Sequence, residues 1–590
     1  MTLSRRSFLS LLLEAAASKV CFGQQGVATS KAPVQPRERP SGIPFHSQFV
    51  DVSARSGLKN PVFYGPVSHK TYLLESLGCG CAFIDYDNDG WIDVFLLTGN
   101  SSFQHPEAGA TNRLYRNNRD GTFTDVTRES GLTRTGWASG VCVGDYNNDG
   151  LEDLFLTCWG QNVLYRNNGD GTFTDVTVKA GLGESGHRWG TGCTFFDYDR
   201  DGWLDLFVAN YATFDPLTTP LPGDHPYCRW NDVPVLCGPR GLPFGKHSLY
   251  RNNRDGTFTD VSVASGIARA RSSYGLSVTA ADLDDDGWPD LFVAGDSSPG
   301  LLFLNNHDGT FREEGEIRGV AYNSDGQEQA GMGIAVGDYN LDGHLDILKT
   351  NFADDTPNLY RNLGGGAFDD VTREAGLAVE NRYVGWGAGL ADFDNDGLPD
   401  IFMVTGHVYP EIALRFPRYP TRTPRLLFHN IGHGKFEQVL SGAAGACIDD
   451  PHCSRGCVFG DFDNDGDLDV LILNLNEPPT LLRNDVLSRQ HWIKVRLIGV
   501  RSNRSGIGAR VLVETSSAQQ IQELQSQSSF LSANDSRLHF GLGGESSAMV
   551  RVRWTGGEWE PLGRVAADQL ITVREGSGII SKERWTPRPL

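Results

Sequence analysis

Short apolar runs alternate with Gly- and Asp-rich turns through most of the chain, and none reaches the roughly 18 residues of a membrane span. One unit recurs. It opens with an apolar run such as Cys81-Ala-Phe-Ile84, continues through the acidic loop Asp85-Tyr-Asp-Asn-Asp-Gly-Trp-Ile-Asp93, and enters a second run, Val94-Phe-Leu-Leu97. A Leu-Tyr-Arg-Asn segment follows, then a turn such as Asp120-Gly121, then Thr-Phe-Thr-Asp-Val-Thr. Hairpin chemistry reads this unit as four short antiparallel strands. Its acidic loop starts at Asp85, Asp145, Asp197, Asp282, Asp338, Asp392 and Asp461, at intervals of 52 to 85 residues. Four strands repeated seven times predict an all-β chain built as a seven-bladed β-propeller.

The ends of the array predict how it closes. The Leu-Tyr-Arg-Asn strand occurs seven times, but after Leu482-Arg-Asn484 its Phe-x-Asp-Val partner is missing. A spare copy, Phe49-Val-Asp51-Val52-Ser53, stands ahead of the first loop, so an N-terminal strand is expected to complete the last blade and cover its edge. The propeller is then expected over 48–487, a small β-rich module over 488–576 and a tail over 577–590. Residues 24–47, rich in Pro, Gln, Arg and Ser, read as a linker. Residues 1–23, with Arg5-Arg6-Ser7-Phe8-Leu9 before an apolar stretch, resemble a twin-arginine export signal and place the protein in the periplasm or outside the cell.

Charge narrows the partners. With 52 Lys+Arg against 73 Asp+Glu the net charge is −21, which disfavours nucleic acid and anionic membrane and brings cations forward. Eleven Cys, ten without Cys21, permit disulfides in an exported chain. Cys228 and Cys237 bracket one loop, while Cys81, Cys193 and Cys457 read as small buried strand residues.

Each acidic loop offers oxygen at positions 1, 3, 5 and 9, with Gly at 6 for the sharp turn, which suits a hard cation needing six to eight oxygens. The ligands so identified are Asp85, Asp87, Asp89 and Asp93; Asp145, Asn147, Asp149 and Asp153; Asp197, Asp199, Asp201 and Asp205; Asp282, Asp284, Asp286 and Asp290. The last three loops give Asp338, Asn340, Asp342 and Asp346; Asp392, Asp394, Asp396 and Asp400; and Asp461, Asp463, Asp465 and Asp469. Position 12 is Leu96, Leu156 or Val208 rather than Glu, so the loops are not EF-hands. Like charges packed this closely oppose folding unless a cation neutralises them. Up to seven Ca²⁺ are expected, reducing −21 to −7.

These repeats resemble the FG-GAP/VCBS repeats of integrin α-subunits and bacterial surface proteins, with Val458-Phe459-Gly460-Asp461 close to the namesake spelling. His491-Trp-Ile-Lys-Val-Arg496, Gly506-Ile-Gly508, Phe530-Leu-Ser-Ala-Asn-Asp535 and Val550-Arg-Val-Arg-Trp554 resemble the ASPIC/UnbV domain. Together they are similar to the cartilage acidic protein-like family. That resemblance implies a secreted calcium-binding propeller with a C-terminal β module, and supplies no reaction.

The repeat order places the acidic loops on one face and the large insertions, 98–112, 211–247 and 407–424, on the other. Eight residues before the first loop Asp stand Trp137, Trp189 and Tyr274, with Arg188, Arg271, Arg382 and Trp386 close in register. A basic, aromatic mouth is suited to a glycan or an extracellular protein through stacking and bidentate Arg contacts. The alternative is that these aromatics wedge between blades. No Walker loop, HExxH or nucleophile elbow is present, and the preferred reading is a non-catalytic adhesion-type module. A calcium-dependent polysaccharide lyase is the competing class, with His187, His407 and His452 as its nearest candidate bases; a scaffold for the C-terminal module is the third.

Overall fold

A computed structural model describes residues 26–103, 110–183 and 188–584. The export signal at Arg5-Arg6, Cys21 and His187 lie outside those residues.

The chain is all-β, and its sheets follow the repeats. In the first repeat Cys81–Ile84, Asp93–Leu96, Arg113–Asn117 and Phe123–Asp125 form one antiparallel sheet in chain order. The same order recurs in the sheets beginning at Trp137–Gly144, Arg188–Phe196, Gly275–Ala281, Gly331–Gly337 and Gly385–Ala391. Arg188 and Trp189 also pair with Gly160 and Trp159, merging the second and third sheets. In the seventh repeat Ser454–Gly460, Asp469–Asn474 and Thr480–Val486 are joined by Ser47–Asp51, which pairs antiparallel with Thr480–Val486 and sets Phe49 opposite Asn484. The first strand of each repeat packs on the first strands of two others, Ser454–Gly460 meeting both Gly385–Ala391 and Cys81–Ile84. Every strand on this inner side is buried: Cys81, Val141, Cys193, Val278, Ile334, Ala388 and Cys457 are at most 1% exposed.

Residues 491–583 form a second body of two four-stranded sheets. His491–Ile498 lies between Leu538–Gly543 and Gln569–Arg574, the latter pairing parallel. Arg510–Glu514 lies between Gln519–Glu523 and Ser547–Arg553. Alternate apolar residues of both sheets, among them Ile493, Val495, Val511, Val513, Val550 and Ile571, meet in one core that continues into Phe155, Phe195 and Leu206 of the second and third repeats. That shared core fixes the module against the repeats.

The segment linking the module's two sheets enters the centre of the array and touches the first strand of every repeat. Ala533 donates its N–H to Cys81 O and accepts from Phe83 N–H, both at 3.0 Å. Leu531 O accepts from Val141 N–H at 3.0 Å, and Gln527 Oε1 accepts from Cys193 N–H at 3.0 Å. Thr279 donates to Gln525, Ile334 N–H to Ser529 O, Ala388 N–H to Ser529 Oγ, and Phe459 N–H to Asn534 Oδ1. Glycines make this approach possible: a Cβ on Gly80 would stand 1.8 Å from Leu531 O.

Of the expected linker 24–47, residues 26–46 lie along the repeats as an N-terminal strap. The extended backbone finds partners there: Ala28 N–H donates to Ser297 Oγ, Ser30 N–H to Asp355, Gln35 N–H to Ala378 O and Ser41 N–H to Glu437.

Candidate metal centres

Every acidic loop adopts one conformation. Position 4 carries a positive φ (Asn88 55°, Asn148 56°, Arg200 58°, Asp285 62°, Leu341 60°, Asn395 60°, Asn464 59°), as does the Gly at position 6. This double left-handed turn lets the position-1 carboxylate accept the N–H of that Gly, at 3.1 Å for Asp85 and Gly90 and 2.7 Å for Asp392 and Gly397. The position-9 Asp is held from outside its loop. Asp93 accepts Asn117 N–H at 2.7 Å and Asp400 accepts Asn430 N–H at 2.8 Å, with the same bond in the five other repeats.

These bonds leave particular oxygens without a hydrogen-bond partner although buried: Asp93 Oδ2, Asp199 Oδ1, Asp282 Oδ1 and Asp394 Oδ1. Three-carboxylate sets with ligand oxygens within 4.8 Å of one another occur at Asp85, Asp87 and Asp93, at Asp197, Asp199 and Asp205, at Asp282, Asp284 and Asp290, and at Asp392, Asp394 and Asp400. Desolvation, reinforced by neighbouring Asp side chains, pushes Asp93 up to about 9, Asp346 to about 8 and Asp197 and Asp338 to about 7. An all-oxygen donor set with inward, unpaired lone pairs fits a hard divalent cation.

Two features escaped the sequence reading. The first is the Asn ending each Leu-Tyr-Arg-Asn strand. Its backbone N–H fixes the position-9 Asp, and its Nδ2 donates to the position-2 carbonyl of a different loop: Asn117 to Phe462 O, Asn167 to Tyr86 O, Asn252 to Tyr146 O, Asn484 to Phe393 O. Its seven-fold recurrence was the available signal. The second is that the C-terminal module rests on the acidic loops. Lys494 Nζ lies 2.5 Å from Asp461 Oδ2, both side chains fully buried. Arg553 reaches Asp282 at 2.6 Å, and Arg510 reaches Asp285 at 2.6 Å and Glu523 at 2.7 Å.

The expected aromatic–arginine surface is arranged differently. Trp137, Trp189, Tyr274 and Trp386 are 5%, 1%, 4% and 2% exposed, so they cannot serve as an open stacking platform. Trp137 stacks on Phe103 at 4.9 Å, Tyr274 on Phe244 at 4.1 Å, and Trp386 lies under Arg455 with Phe530 at its edge, 4.8 Å away. Wide apolar rings fill gaps where sheets converge. Arg271 pairs with Glu316 at 3.2 Å and Arg382 with Glu380 at 2.5 Å, while exposed Arg188 contacts Ser248. Residues 53–78 pack on the insertions through Lys70 N–H to Glu411 and Tyr72 to Pro216 O, and two insertions meet at Trp230 against Tyr419, 4.8 Å apart. His407 is buried and pushed down to about 3 by desolvation, and His452 lies 2.7 Å from Glu477.

Two family models match parts of the chain. FG-GAP-like repeat models match residues 85–156, 145–208, 235–293 and 282–348, and the ASPIC and UnbV model matches 499–580. The chain is therefore built of FG-GAP-like repeats followed by an ASPIC/UnbV domain. Among curated proteins it is similar to cartilage acidic protein 1 of Homo sapiens, 27% identical over 54% of this chain and 46% of that protein, and of Mus musculus, 26% identical over 54% and 47%. It thus spans about half the length of the curated relatives it matches. A solved Agrocybe aegerita lectin aligns at TM-score 0.36 and 18% identity over 61% of this chain and 82% of the lectin.

Among the described residues one disulfide, Cys228–Cys237, closes the 211–247 insertion, and the remaining eight Cys are free and buried. No helix among them is long and apolar enough to cross a membrane.

Proposed function

We propose that this protein is an exported, calcium-loaded seven-bladed β-propeller, closed by Ser47–Asp51, that binds an extracellular protein without catalysis. The observation carrying the calcium reading is the set of buried, unpartnered Asp oxygens inside conformationally identical loops. The run of Asn bonds from loop to loop, with Asn117 of the first repeat reaching Phe462 of the seventh, supports a closed ring. The disulfide supports an oxidising compartment.

The insertions supply the partner surface. Leu217 and Leu414 are 92% and 88% exposed, and Val67 68%, on segments that pack together. Exposed apolar side chains grouped on loops, with the aromatic rings buried, favour a protein over a glycan.

The test has two parts. Elemental analysis after exhaustive dialysis should find several Ca²⁺ per chain, up to seven, and chelation should lower the unfolding midpoint; a calcium-free protein indifferent to chelator overturns the scaffold. Immobilised protein is then challenged with extracellular-matrix proteins and with anionic and neutral polysaccharides. Retention of a matrix protein, lost in Leu217→Asp/Leu414→Asp, is the expected result. Retention of intact polysaccharide instead would replace the protein partner by a glycan, and unsaturated sugar ends would make the protein a lyase.

A further inference from the structure

We propose that the sixth acidic loop is a mixed nitrogen–oxygen site for a divalent transition metal, formed by Asp394, Asp396 and His429. The third strand of each repeat carries an Asn beside the acidic loop. Just before that Asn stands Arg116, Arg166, Arg251, Arg361 or Arg483 in five repeats and Leu304 in the fourth. Only the sixth repeat has an imidazole there, His429 in Leu426–Asn430.

That imidazole is built into the loop. Its side chain is 4% exposed, and its Nε2 is buried with no hydrogen-bond partner. The nitrogen stands 3.9 Å from Asp394 Oδ2 and 3.8 Å from Asp396 Oδ2. Asp394 is itself fully buried in its side chain and leaves Oδ1 unpartnered. The three ligand atoms lie within 4.8 Å of one another.

Those separations are too long for hydrogen bonds and close to the edge of a coordination polyhedron. Two donors bound at about 2.1 Å to one ion at tetrahedral angles stand about 3.4 Å apart, so side-chain shifts of a few tenths of an ångström would close the site. A second layer already orients it. Phe45 presents its ring to His429 at 5.4 Å and 61°, and His46 N–H donates to Asp394 Oδ2 at 2.9 Å. Both residues come from the N-terminal strap, whose placement thus has a role at this loop.

An imidazole also meets the fourth loop, but His307 Nε2 is an exposed ring nitrogen spent on a 2.6 Å hydrogen bond to Asp286, whereas buried His429 faces two carboxylates with its Nε2 unpartnered. Imidazole with two carboxylates suits Zn²⁺, Mn²⁺, Co²⁺ or Ni²⁺, whereas Ca²⁺ takes oxygen alone. Because Asp394 also belongs to the set with Asp392 and Asp400, a transition metal here draws on a carboxylate that calcium would use. The site departs from the calcium reading at this loop only and does not depend on calcium elsewhere.

The experiment is a Co²⁺ titration of the full chain, followed by visible ligand-field absorption, in millimolar Ca²⁺. One tightly held Co²⁺ displaced by Zn²⁺ is expected. In His429→Arg, which restores the side chain that five repeats carry, affinity should fall at least about tenfold, as loss of even an outer-layer metal partner commonly does. Asp396→Asn, which can keep the bond from Leu398 N–H to Oδ1, should weaken binding likewise, while Asp93→Asn in the first loop should leave it unchanged. Equal Co²⁺ binding by His429→Arg, or exclusion of Co²⁺ from the wild-type chain by calcium, overturns the assignment. Calcium content measured on the same samples keeps a failure of the calcium reading distinct from a failure here.

Discussion

The segment entering the centre of the repeats is predicted to be part of their core, and Phe530→Ala tests this. Phe530 is 0% exposed, and its ring meets Trp386 edge-on at 4.8 Å and 73°. Truncating a fully buried Phe costs about 3–5 kcal/mol, the spread reflecting how far the surroundings collapse into the cavity. Collapse is restricted here. Ser529 O and Leu531 O, on either side, accept N–H bonds from Ile334 at 2.8 Å and Val141 at 3.0 Å, pinning the backbone. The upper half of that range, about 4–5 kcal/mol, is therefore expected. The assay is equilibrium urea unfolding at fixed calcium, followed by tryptophan fluorescence and by far-UV circular dichroism, because coincidence of the two probes tests whether repeats and module unfold together. Leu217→Ala at a 92% exposed position is the control and should stay within about 0.5 kcal/mol of wild type. A loss below about 1 kcal/mol in Phe530→Ala would mean that the segment merely occupies the centre without supporting it.

Two further outcomes follow from charges at the loops. Lys494→Met leaves Asp461 buried without its ammonium partner and should destabilise the metal-free chain by about 3–5 kcal/mol, measured by the same unfolding in chelator; wild-type stability there would refute a structural role for the pair. Burial raises Asp93 to about 9 and Asp346 to about 8 from an ordinary value of 3.8, so the folded metal-free chain holds protons that the unfolded chain has released. The resulting stabilisation is complete below about pH 4 and is lost as pH rises through 8 to 9. The metal-free unfolding midpoint should accordingly fall between pH 5 and pH 9 and recover on adding calcium, with proton release during calcium titration at pH 7. A pH-independent midpoint together with a proton-neutral titration would refute the linkage.

How much of this was legible in the sequence depends on whether the information is local. The acidic loops were legible because each binds its backbone to its own carboxylates: Asp85 accepts Asp89 and Gly90, a pattern the spacing encodes outright. The strand order within a repeat was legible for the same reason, since short turns join neighbours. The roles of Trp189 and Trp386 were not. An aromatic in register with loop arginines looks alike whether it faces solvent or the next sheet, and only Tyr211 packing on one and Arg455 lying over the other decide the matter. Nor did the resemblance of 530–535 to a known domain say that Ala533, more than 400 residues from Cys81, would pair with it. His429 sits between these cases. Its departure from Arg at one repeat is visible in the sequence, but a lone His in a strand reads as polar substitution until Asp394, Asp396 and the strap residue Phe45 are brought beside it. Repeats make such departures readable: where the fold holds one position constant across copies, the copy that changes chemistry is where a changed ligand should be sought.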